Sequence, residues 1–443
     1  MLSFACTCDW IVPCESPAIS NGWLVIHNNC IEFLGQDLPA QFNSLPKIHL
    51  GSGAILPGLI NAHTHFEFSD LNSPIPVPAN GSIVDWLAAV IKHRRALAAA
   101  LPDHPTELRR QTYLRGVQEA YHTGTRFVID NVTAPWDSNW ISQANAELGP
   151  IGITVVPAFE LVDVSEKRAR ETWDFAQQCL SEWPTNPQNK LLHRQTYCLA
   201  PHAPYTASTQ IIAQAVRFAH ENNSWISMHL AESTEELLWT QQRSGPFEPW
   251  ISPYLEDSHR SHIGTIQDIL RQLANAPKTI LAHGNYLNKS DIEILKQSPK
   301  TFATVYCPRT HRHFGHATYP WNELQQAGIP VLLGTDSRAS TPDLSIFKEW
   351  QSACASLPTV SPLHLLASCT TTPRNFLNPG DHYGKLAVGI TPALTWVPFH
   401  ATFTSNPAQS NADPQSPTSL WQPLLDAIDS YPLELHPFLK QYW

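Results

Sequence analysis

The first fifty residues alternate short apolar runs with turn residues. The run Trp23 to His27 ends at the pair Asn28-Asn29, and a second run from Ile31 to Gly35 follows. Short apolar runs separated by asparagine turns are typical of a β-meander. We therefore predict that residues 1–54 form the N-terminal part of a small β domain.

From Ile55 onward, short apolar runs alternate with longer helical segments that carry capping residues such as Thr106, Ser208 and Ser290. Eight runs qualify as strands: Ile55–Asn61, Arg126–Asn131, Ile153–Ala158, Thr196–Ala200, Trp225–Leu230, Thr279–Ala282, Thr301–Tyr306 and Val331–Gly334. Eight strands with crossover helices predict an α/β fold, a closed (β/α)8 TIM barrel over residues 55–378. A doubly wound sheet fits less well, because the glycines at 51 and 53 precede the first strand instead of following it.

The C-terminal segment, residues 379–443, again contains short apolar runs typical of strands, at Lys385–Val388 and Ala393–Val397. These runs predict that both ends of the chain join in a small β-sandwich domain. The segment Thr404–Ser419 is rich in Ser, Asn, Pro and Gln, which favours a loop or linker. A short helix is expected at about Leu420–Ile428.

Composition narrows the class of protein. A hydrophobic fraction of 42% and 15 Trp supply a large core, and charged residues at 15% are too sparse for a disordered chain. The formal net charge of -10, with no run of Lys or Arg, argues against nucleic acid or an anionic membrane as partner. A neutral or cationic small molecule fits better.

Cysteine usage and the N-terminus indicate a cytoplasmic protein. The nine Cys are scattered and include no C-x-x-C pair, as expected of reduced thiols. Residues 1–21 lack a basic start followed by an apolar run, and no stretch approaches the roughly 20 apolar residues that span a bilayer. We expect neither export nor a membrane span.

Polar residues fall where the predicted strands end, which is where barrel enzymes carry their catalytic groups. His63 and His65 follow the first strand, and residues i and i+2 of an extended chain share a face, so both can bind one metal. A second H-x-H, at His311 and His313, follows Cys307-Pro308 and is interpreted as a loop with two solvated imidazoles.

Three further strands end in groups that suit a metal site. His229 ends the fifth strand and offers a third imidazole, and Glu232 beyond it can accept a proton from metal-bound water. The alternative for Glu232 is a solvated carboxylate in an acidic loop. His283 ends the sixth strand. Asp336 follows the eighth without an adjacent basic residue, so its burial calls for a metal or a water.

Substrate contacts are expected from residues near the same strand ends. His202 closes the fourth strand; ligand, substrate contact and structural imidazole are all open, and substrate contact is favoured. Phe66 and Arg309 follow strands one and seven, and Trp86 lies on the first crossover. For Trp86 the alternative is a place in the helix core, beside Ile83, Leu87 and Val90.

Together these residues resemble the deaminase branch of the amidohydrolase superfamily, which includes guanine, cytosine and adenosine-derivative deaminases. The resemblance runs from Leu56-Pro57-Gly58-Leu59-Ile60-Asn61-Ala62-His63-Thr64-His65 through Gly334-Thr335-Asp336-Ser337. It implies that the metal ligands are His63, His65, His229 and Asp336. It also implies that Glu232 is a proton shuttle, that His283 orients water or substrate, and that His202 contacts substrate.

The resemblance also bears on the cofactor. Binuclear members of that superfamily carry a carboxylated lysine at the end of the fourth strand, where this chain has Ala200-Pro201-His202 and its nearest lysine is Lys190, upstream. We therefore expect one divalent metal per chain, with zinc favoured and iron(II) or manganese(II) as alternatives.

Within the deaminase branch, the segments His63–Ser69 and Cys307–His311 are similar to deaminases of 6-amino-6-deoxyfutalosine. The His-rich segment Thr310–His316 departs from the Cys-Pro-x-Ser-Asn of many relatives, which leaves the exact substrate open. The resemblance implies an aminohydrolase that releases ammonia from an amino-purine or related heterocycle by attack of metal-bound hydroxide.

Four alternatives remain beside that function. A triazine-type chlorohydrolase and a formimino or amidine hydrolase could use the same residues, and a binuclear amide or ester hydrolase is opposed by the missing lysine. A scaffold or binding protein that lost its site is opposed by the presence of His63, His65, His229, His283 and Asp336 together. The oligomeric state is open, with a homodimer as one alternative.

Overall fold

The centre of the molecule is a sheet of eight parallel strands whose spatial order follows the chain. The architecture comes from a computed structural model, which describes residues 3–79, 81–100, 105–148, 152–183, 197–256, 264–378, 383–391, 393–399, 417–433 and 436. The strands are β8 Leu59–Thr64, β9 Thr125–Val132, β10 Thr154–Leu161, β11 Cys198–Pro201, β12 Trp225–Leu230, β13 Thr279–His283, β14 Phe302–Tyr306 and β15 Val331–Leu333. The predicted (β/α)8 barrel is confirmed; Thr196 and Lys190 lie outside the described residues.

The barrel closes between β15 and β8 through contacts just beyond β15. The backbone N–H groups of Thr335 and Asp336 both donate to the His63 carbonyl at 3.1 Å, and Asn61 Nδ2 donates to Thr335 Oγ1 at 2.8 Å. A Cβ on Gly334 would lie 2.9 Å from the His63 carbonyl oxygen, so this close approach requires glycine. Closure thereby brings Asp336 next to the histidines of β8.

Alternation along the strands separates the barrel interior from the helix layer. On β10, Val156 and Ala158 belong to the inner cluster, whereas Val155 and Phe159 pack with the helices. The same period of two places the strand-end residues that continue the inward rows at the barrel mouth. These residues are Asn131, Glu160, His202 and His229.

The described helices surround the barrel. They are α1 Ile83–Ala100, α2 Pro105–His122, α3 Asn139–Ala146, α4 Glu166–Glu182, α5 Thr209–Asn222, α6 Thr234–Gln242, α7 Phe247–Ile251, α8 Ile266–Leu273, α9 Lys289–Lys296, α10 Pro308–Phe314, α11 Trp321–Gln326, α12 Ile346–Ser356, α13 Pro362–Ala367, α14 Thr371–Leu377 and α15 Pro417–Asp426.

Two helix starts test the capping residues proposed from the sequence. Ser208 caps α5 by accepting the N–H of Ile211, as predicted. The prediction for Ser290 is wrong: Asn288 caps α9, and its side chain accepts from Ser290 and Asp291 while Asp291 bonds back to the Asn288 N–H. This capping box satisfies more of the helix's free N–H groups than a serine inside the first turn can. None of the described helices is long and apolar enough to cross a bilayer.

Both chain ends contribute to two small sheets. The first contains β1 Phe4–Thr7, β4 Trp23–His27, β5 Cys30–Gly35 and β6 Lys47–His49. The second contains β2 Trp10–Ile11, β3 Ile19–Ser20, β7 Gly53–Pro57, β16 Leu394–Pro398 and β17 Tyr431–Pro432. Phe4 and Leu24 of the first sheet share one buried cluster with Ile55 and Trp396 of the second. The two sheets therefore pack on a common core, as a sandwich does.

The predicted N-terminal β-meander is confirmed for one hairpin but not for the whole sheet. Strands β4 and β5 form the predicted antiparallel hairpin across Asn28-Asn29, both of which have positive φ, as a tight two-residue hairpin turn requires. Strand β6, however, pairs with β1 in parallel, so the sheet is mixed.

Three predicted segments are arranged differently in the structure. The run Ile55–Asn61 is split at Gly58, whose N–H donates to Ala393, so β7 joins the small sheet and only β8 enters the barrel. Lys385–Val388 is not a strand but part of an irregular segment, in which the Leu386 N–H donates to the Pro13 carbonyl. Residues 404–416 of the predicted linker lie outside the described residues, and the remainder belongs to α15, which starts before Leu420.

Candidate metal centre and active site

Three imidazoles converge at the carboxyl end of the barrel strands. His63 lies in β8, two residues before the strand-end His65, and His229 lies near the end of β12. The ring centroids are 5.0 Å apart for His63 and His65, 4.9 Å for His63 and His229, and 5.3 Å for His65 and His229. His65 Nε2 and His229 Nε2 are separated by 3.2 Å. The structure therefore brings together the three histidines that the sequence singled out.

Asp336 completes this group from the other side of the barrel closure. Its Oδ1 lies 3.6 Å from His63 Nε2 and 3.7 Å from His65 Nε2, and its Oδ2 accepts a hydrogen bond from Ser340 Oγ at 2.6 Å. Burial alone would raise the pKa of Asp336, but the interaction with His63 and the other imidazoles holds it well below its usual range. Asp336 is therefore an ionised carboxylate aimed at the histidines.

The donor set fits a divalent cation. His63 Nε2 is buried and has no hydrogen-bond partner among the described residues. Burial lowers the pKa of His65 to about 3 and lowers those of His63 and His229, so all three imidazoles are neutral, as metal ligands must be. Three neutral nitrogens and one carboxylate are the ligands that zinc accepts in a catalytic site.

His283 and Glu232 lie beside the four candidate ligands. His283 Nε2 is 3.5 Å from Glu232 Oε1, and its ring centroid is 5.4 Å from that of His63. Burial, then repulsion from Asp336, raises the pKa of Glu232 to about 8. Ligand atoms of His63, His229 and His283 also lie within 4.8 Å of one another, so His283 is near enough to bind the same cation.

Backbone strain marks the ends of three strands at the site. Ala231, His283 and Asp336 have φ values of 53°, 68° and 56°, in the left-handed region that residues other than glycine rarely adopt. They follow or end β12, β13 and β15. Such conformations persist only where the surroundings hold them, and they are found preferentially at active sites.

Two contacts orient the candidate ligands from behind. His229 Nδ1 lies 3.0 Å from the carbonyl of His202, which directs Nε2 toward the other histidines. The side-chain amide of Asn131 lies 3.3 Å from His63 Nδ1 and 3.3 Å from His65 Nε2. Within the described part of the chain, Asn131 Oδ1 has no hydrogen-bond partner. A 180° rotation of this amide lets the oxygen accept the Nδ1 proton of His63, the bond required once Nε2 binds a metal.

Glu160 is a site residue that the sequence reasoning missed. It lies near the end of β10, is 8% exposed, and has Oε1 3.8 Å from His65 Nδ1. Ligand atoms of Glu160, His202 and His229 lie within 4.8 Å of one another. The signal was present: Glu160 continues the inward row of Val156 and Ala158, but the predicted strand ended at Ala158.

His202 lies where the sequence placed it, past the end of β11. Its Nδ1 is 2.6 Å from Thr206 Oγ1, and its ring centroid is 5.1 Å from that of His229. Burial lowers the pKa of His202 to about 4, so the imidazole is neutral. It borders the metal centre, and its role as a substrate contact stays a prediction.

The other three predicted substrate contacts lie in packed or paired surroundings. Phe66 is fully buried, with its ring centroid 5.7 Å from that of Tyr113 of α2. Trp86 donates to the Ile75 carbonyl at 3.0 Å within an apolar cluster, the core position that was the alternative for this residue. Arg309 pairs with Glu349 and Asp343. Nothing in these contacts supports direct binding of substrate.

The interpretation of the second H-x-H segment is wrong. Cys307-Pro308 starts helix α10 instead of a loop, because proline is well tolerated in the first turn of a helix. His311 and His313 are half-buried, not solvated; His313 Nε2 lies 3.0 Å from the Ile75 carbonyl, and His311 packs on Tyr306.

Comparison with known proteins places this geometry in a family. The sequence profile of the amidohydrolase family matches residues 54–415. The chain belongs to the amidohydrolase family. Its barrel, the histidines of β8 and the aspartate after β15 all lie within the matched range.

Two of the similar proteins are deaminases by name. The 5-methylthioadenosine/S-adenosylhomocysteine deaminase of Pyrococcus horikoshii is 29% identical over 308 residues, which cover 68% of this amidohydrolase and 62% of the archaeal protein. The crystal structure of Helicobacter pylori aminofutalosine deaminase in complex with methylthio-coformycin superposes with a TM-score of 0.76 at 19% identity, covering 96% of this chain and 97% of that one.

A third similar structure has a different activity by name. The E241Q mutant of the atrazine chlorohydrolase of Arthrobacter aurescens TC1, solved with zinc and atraton, superposes with a TM-score of 0.69 at 16% identity, over 96% of this chain and 91% of that one. At these identities the two structural neighbours show a shared fold.

Proposed function

We propose that this amidohydrolase is a metal-dependent deaminase that releases ammonia from the adenine ring of a nucleoside. The observation that carries the proposal is the placement of Glu232 and His283 beside the four candidate ligands His63, His65, His229 and Asp336. The sequence similarity to a deaminase of adenosine derivatives over two thirds of the chain supports the same reaction.

The four candidate ligands would hold a single divalent cation, for which we propose zinc. A bound divalent cation lowers the pKa of a coordinated water from 15.7 to about 7 and so supplies a nucleophile near neutral pH. A single site is favoured because β11 ends in Pro201 and is followed by His202, where a binuclear site would need a lysine.

The chain's own residues move the protons. Protonated Glu232, whose pKa is raised to about 8, can donate to a nitrogen of the purine ring and make the amine-bearing carbon electrophilic. Asp336 is ionised and can accept a proton from the attacking water. His283 can donate a hydrogen bond to the oxygen that adds to the ring. One water adds, the carbon–nitrogen bond breaks, and the second proton transfer leaves ammonia and the oxo product.

Among adenine nucleosides we propose 6-amino-6-deoxyfutalosine as a candidate substrate. The similarity of the segments His63–Ser69 and Cys307–His311 to aminofutalosine deaminases favours it, and the Helicobacter pylori enzyme of that name shares the fold. The chlorohydrolase alternative has support only from fold-level similarity at 16% identity, and no observation favours a formimino hydrolase. The homodimer, the cytoplasmic location and the domain limits at 54/55 and 378/379 stay predictions.

Ammonia release by metal-loaded protein tests the proposed function. The panel contains adenosine, 5′-methylthioadenosine, S-adenosylhomocysteine, 6-amino-6-deoxyfutalosine, guanine, cytosine and atrazine, with chloride measured in parallel. We expect ammonia from at least one adenine nucleoside and none from guanine or cytosine. Chloride from atrazine without ammonia from any nucleoside would instead establish the chlorohydrolase alternative.

A further inference from the structure

Among the described residues, none donates a hydrogen bond to the carboxylate of Glu160 inside the mouth of the barrel. The Glu160 side chain is about nine-tenths buried, yet the described part of the chain offers it no hydrogen-bond donor. Its nearest basic neighbour among the described residues is His65, with 3.8 Å between Oε1 and Nδ1, which is longer than a hydrogen bond. A buried carboxylate without donors is costly, so a ligand that brings donors is the expected partner.

Glu67, a second buried carboxylate of this chain, does have ion-pair and hydrogen-bond partners. Glu67 is buried to a similar degree, at 7% exposure. It pairs with both Arg94 and Arg109 and accepts a hydrogen bond from Thr133. The residues that the structure describes offer Glu160 no equivalent set, although it is buried to nearly the same extent.

His202 lies beside Glu160 at the mouth of the barrel. Glu160 pairs with Ala200 in the parallel register of β10 and β11, so His202, two residues further on, lies on the same inward face. One His202 nitrogen is engaged by Thr206 at 2.6 Å, which leaves the other for a ligand. A hydroxyl both donates and accepts, so it suits either tautomer of this imidazole.

We propose that Glu160 and His202 form the subsite that binds the ribose hydroxyls of the substrate, an inference that rests on the proposed function. The two carboxylate oxygens accept from the 2′- and 3′-hydroxyl groups, and His202 bonds one of the same hydroxyls. Vicinal hydroxyls are the neutral donor pair that an adenine nucleoside offers and that triazines and free purine bases lack. Glu160 therefore selects nucleosides over bases.

The test compares two substrates that differ only in these hydroxyls, adenosine and 2′,3′-dideoxyadenosine, on wild type and on Glu160→Ala. A hydrogen bond to a charged group contributes on the order of 10- to 100-fold in affinity. We expect wild type to prefer adenosine by at least about that factor in kcat/KM. In Glu160→Ala the preference should fall to within about threefold, with dideoxyadenosine turnover and metal content unchanged. Glu160→Gln, which keeps the volume, serves if the alanine variant does not fold, and Glu293→Gln, at an exposed glutamate of α9, is the control that should keep the preference.

Two outcomes overturn the inference. One is an unchanged preference for adenosine in Glu160→Ala. The other is a loss of bound metal together with an equal fall for both substrates, which would show that Glu160 acts through His65. If no nucleoside releases ammonia, the proposed function fails separately. Calorimetric binding of the same two nucleosides to the metal-loaded wild type and variants then shows whether Glu160 binds the ribose hydroxyls.

Discussion

Burial fixes the protonation of the ionisable groups around the centre. It raises the pKa of Glu160 and Glu232 to about 8 and lowers that of His65 to about 3 and of His202 to about 4. In the unliganded site these groups are therefore neutral near pH 7, and Asp336 is the charged member. Hydrogen-bond donors on a ligand would lower the pKa of Glu160 and favour its ionised form. A cation bound among the four candidate ligands would meet one negative charge and three neutral imidazoles.

Glu232→Gln tests the role of that carboxylate as a proton donor. The amide keeps the shape but cannot transfer a proton, so we expect turnover to fall by a factor of about 10² to 10⁴. Metal content, measured by elemental analysis, should stay at the wild-type level, since Glu232 is not a proposed ligand. A variant with near wild-type turnover would remove Glu232 from the mechanism.

Glu236 gives the fold a pH dependence that can be measured apart from catalysis. It is fully buried and accepts the N–H groups of Ala231 and Glu232, and burial raises its pKa to about 8. Between about pH 4.5 and pH 8, Glu236 is therefore protonated in the folded state and ionised in the unfolded state. The stability from this group is fully present below about pH 4.5 and is lost as pH rises through about 8.

Urea unfolding of wild type and Glu236→Gln between pH 5.5 and 7.5 checks this linkage. Wild type should lose stability relative to the variant by about 1.4 kcal/mol per pH unit at most. Equal slopes in the two proteins would show that Glu236 is ionised in the fold, held so by its two backbone donors.

Asn131→Ala tests the orientation of the metal ligands. Removal of a partner behind a ligating histidine typically costs 10- to 100-fold in metal affinity, and we expect a loss of about that size. Competition with a chelating dye measures it. Asn275→Ala, an exposed asparagine at the end of α8, is the matched control. Equal affinities in the two variants would contradict the role assigned to Asn131.

The residues that the sequence revealed and those that it missed differ in side-chain chemistry or in position. His63, His65, His229, His283 and Asp336 stand out because they are potential metal ligands at or next to the ends of predicted strands. Asn131 also ends a predicted strand but carries an amide, which is not a usual zinc ligand, and Glu160 lies two positions beyond a predicted strand. The end of a strand is set by pairing with its neighbours, as for Glu160 opposite Ala200, and that pairing is not visible in one sequence.

At the scale of elements, helix α10, which follows β14, is tied to helix α12 by a buried ion pair. Arg309 Nε contacts Glu349, its backbone N–H donates to Glu349 Oε2 at 2.9 Å, and its guanidinium also contacts Asp343. Glu349 is fully buried. The sequence predicted Arg309 as a substrate contact because it follows strand seven. The ion pairs with Glu349 and Asp343 explain why its side chain is buried in the protein instead.

A double-mutant cycle separates the structural and the substrate-binding roles of Arg309. Arg309→Met leaves Glu349 buried and unpaired, so we expect a loss of about 3 to 5 kcal/mol in the free energy of unfolding. The pair of changes Arg309→Met and Glu349→Met should recover most of it. With stability restored and KM unchanged, Arg309 does not touch substrate; a KM raised by tenfold or more would support the original prediction.

At the scale of the whole molecule, the barrel and the sandwich share one short connection. Strands β7 and β8 follow each other with only Gly58 between them, where a Cβ would clash with Arg126 at 2.5 Å. The sequence shows one continuous apolar run at this point, so the two strands could not be separated by pattern. The barrel itself was predictable, because eight apolar runs with helical spacing leave few other arrangements.

We propose that His63, His65, His229 and Asp336 together bind one cation. Crystals of zinc-loaded protein, measured on both sides of the zinc absorption edge, test this site directly. We expect one anomalous peak per chain, bonded to those four side chains at about 2.0 to 2.2 Å. A peak elsewhere, a second peak of equal height in the same mouth, or no peak at these residues would contradict it.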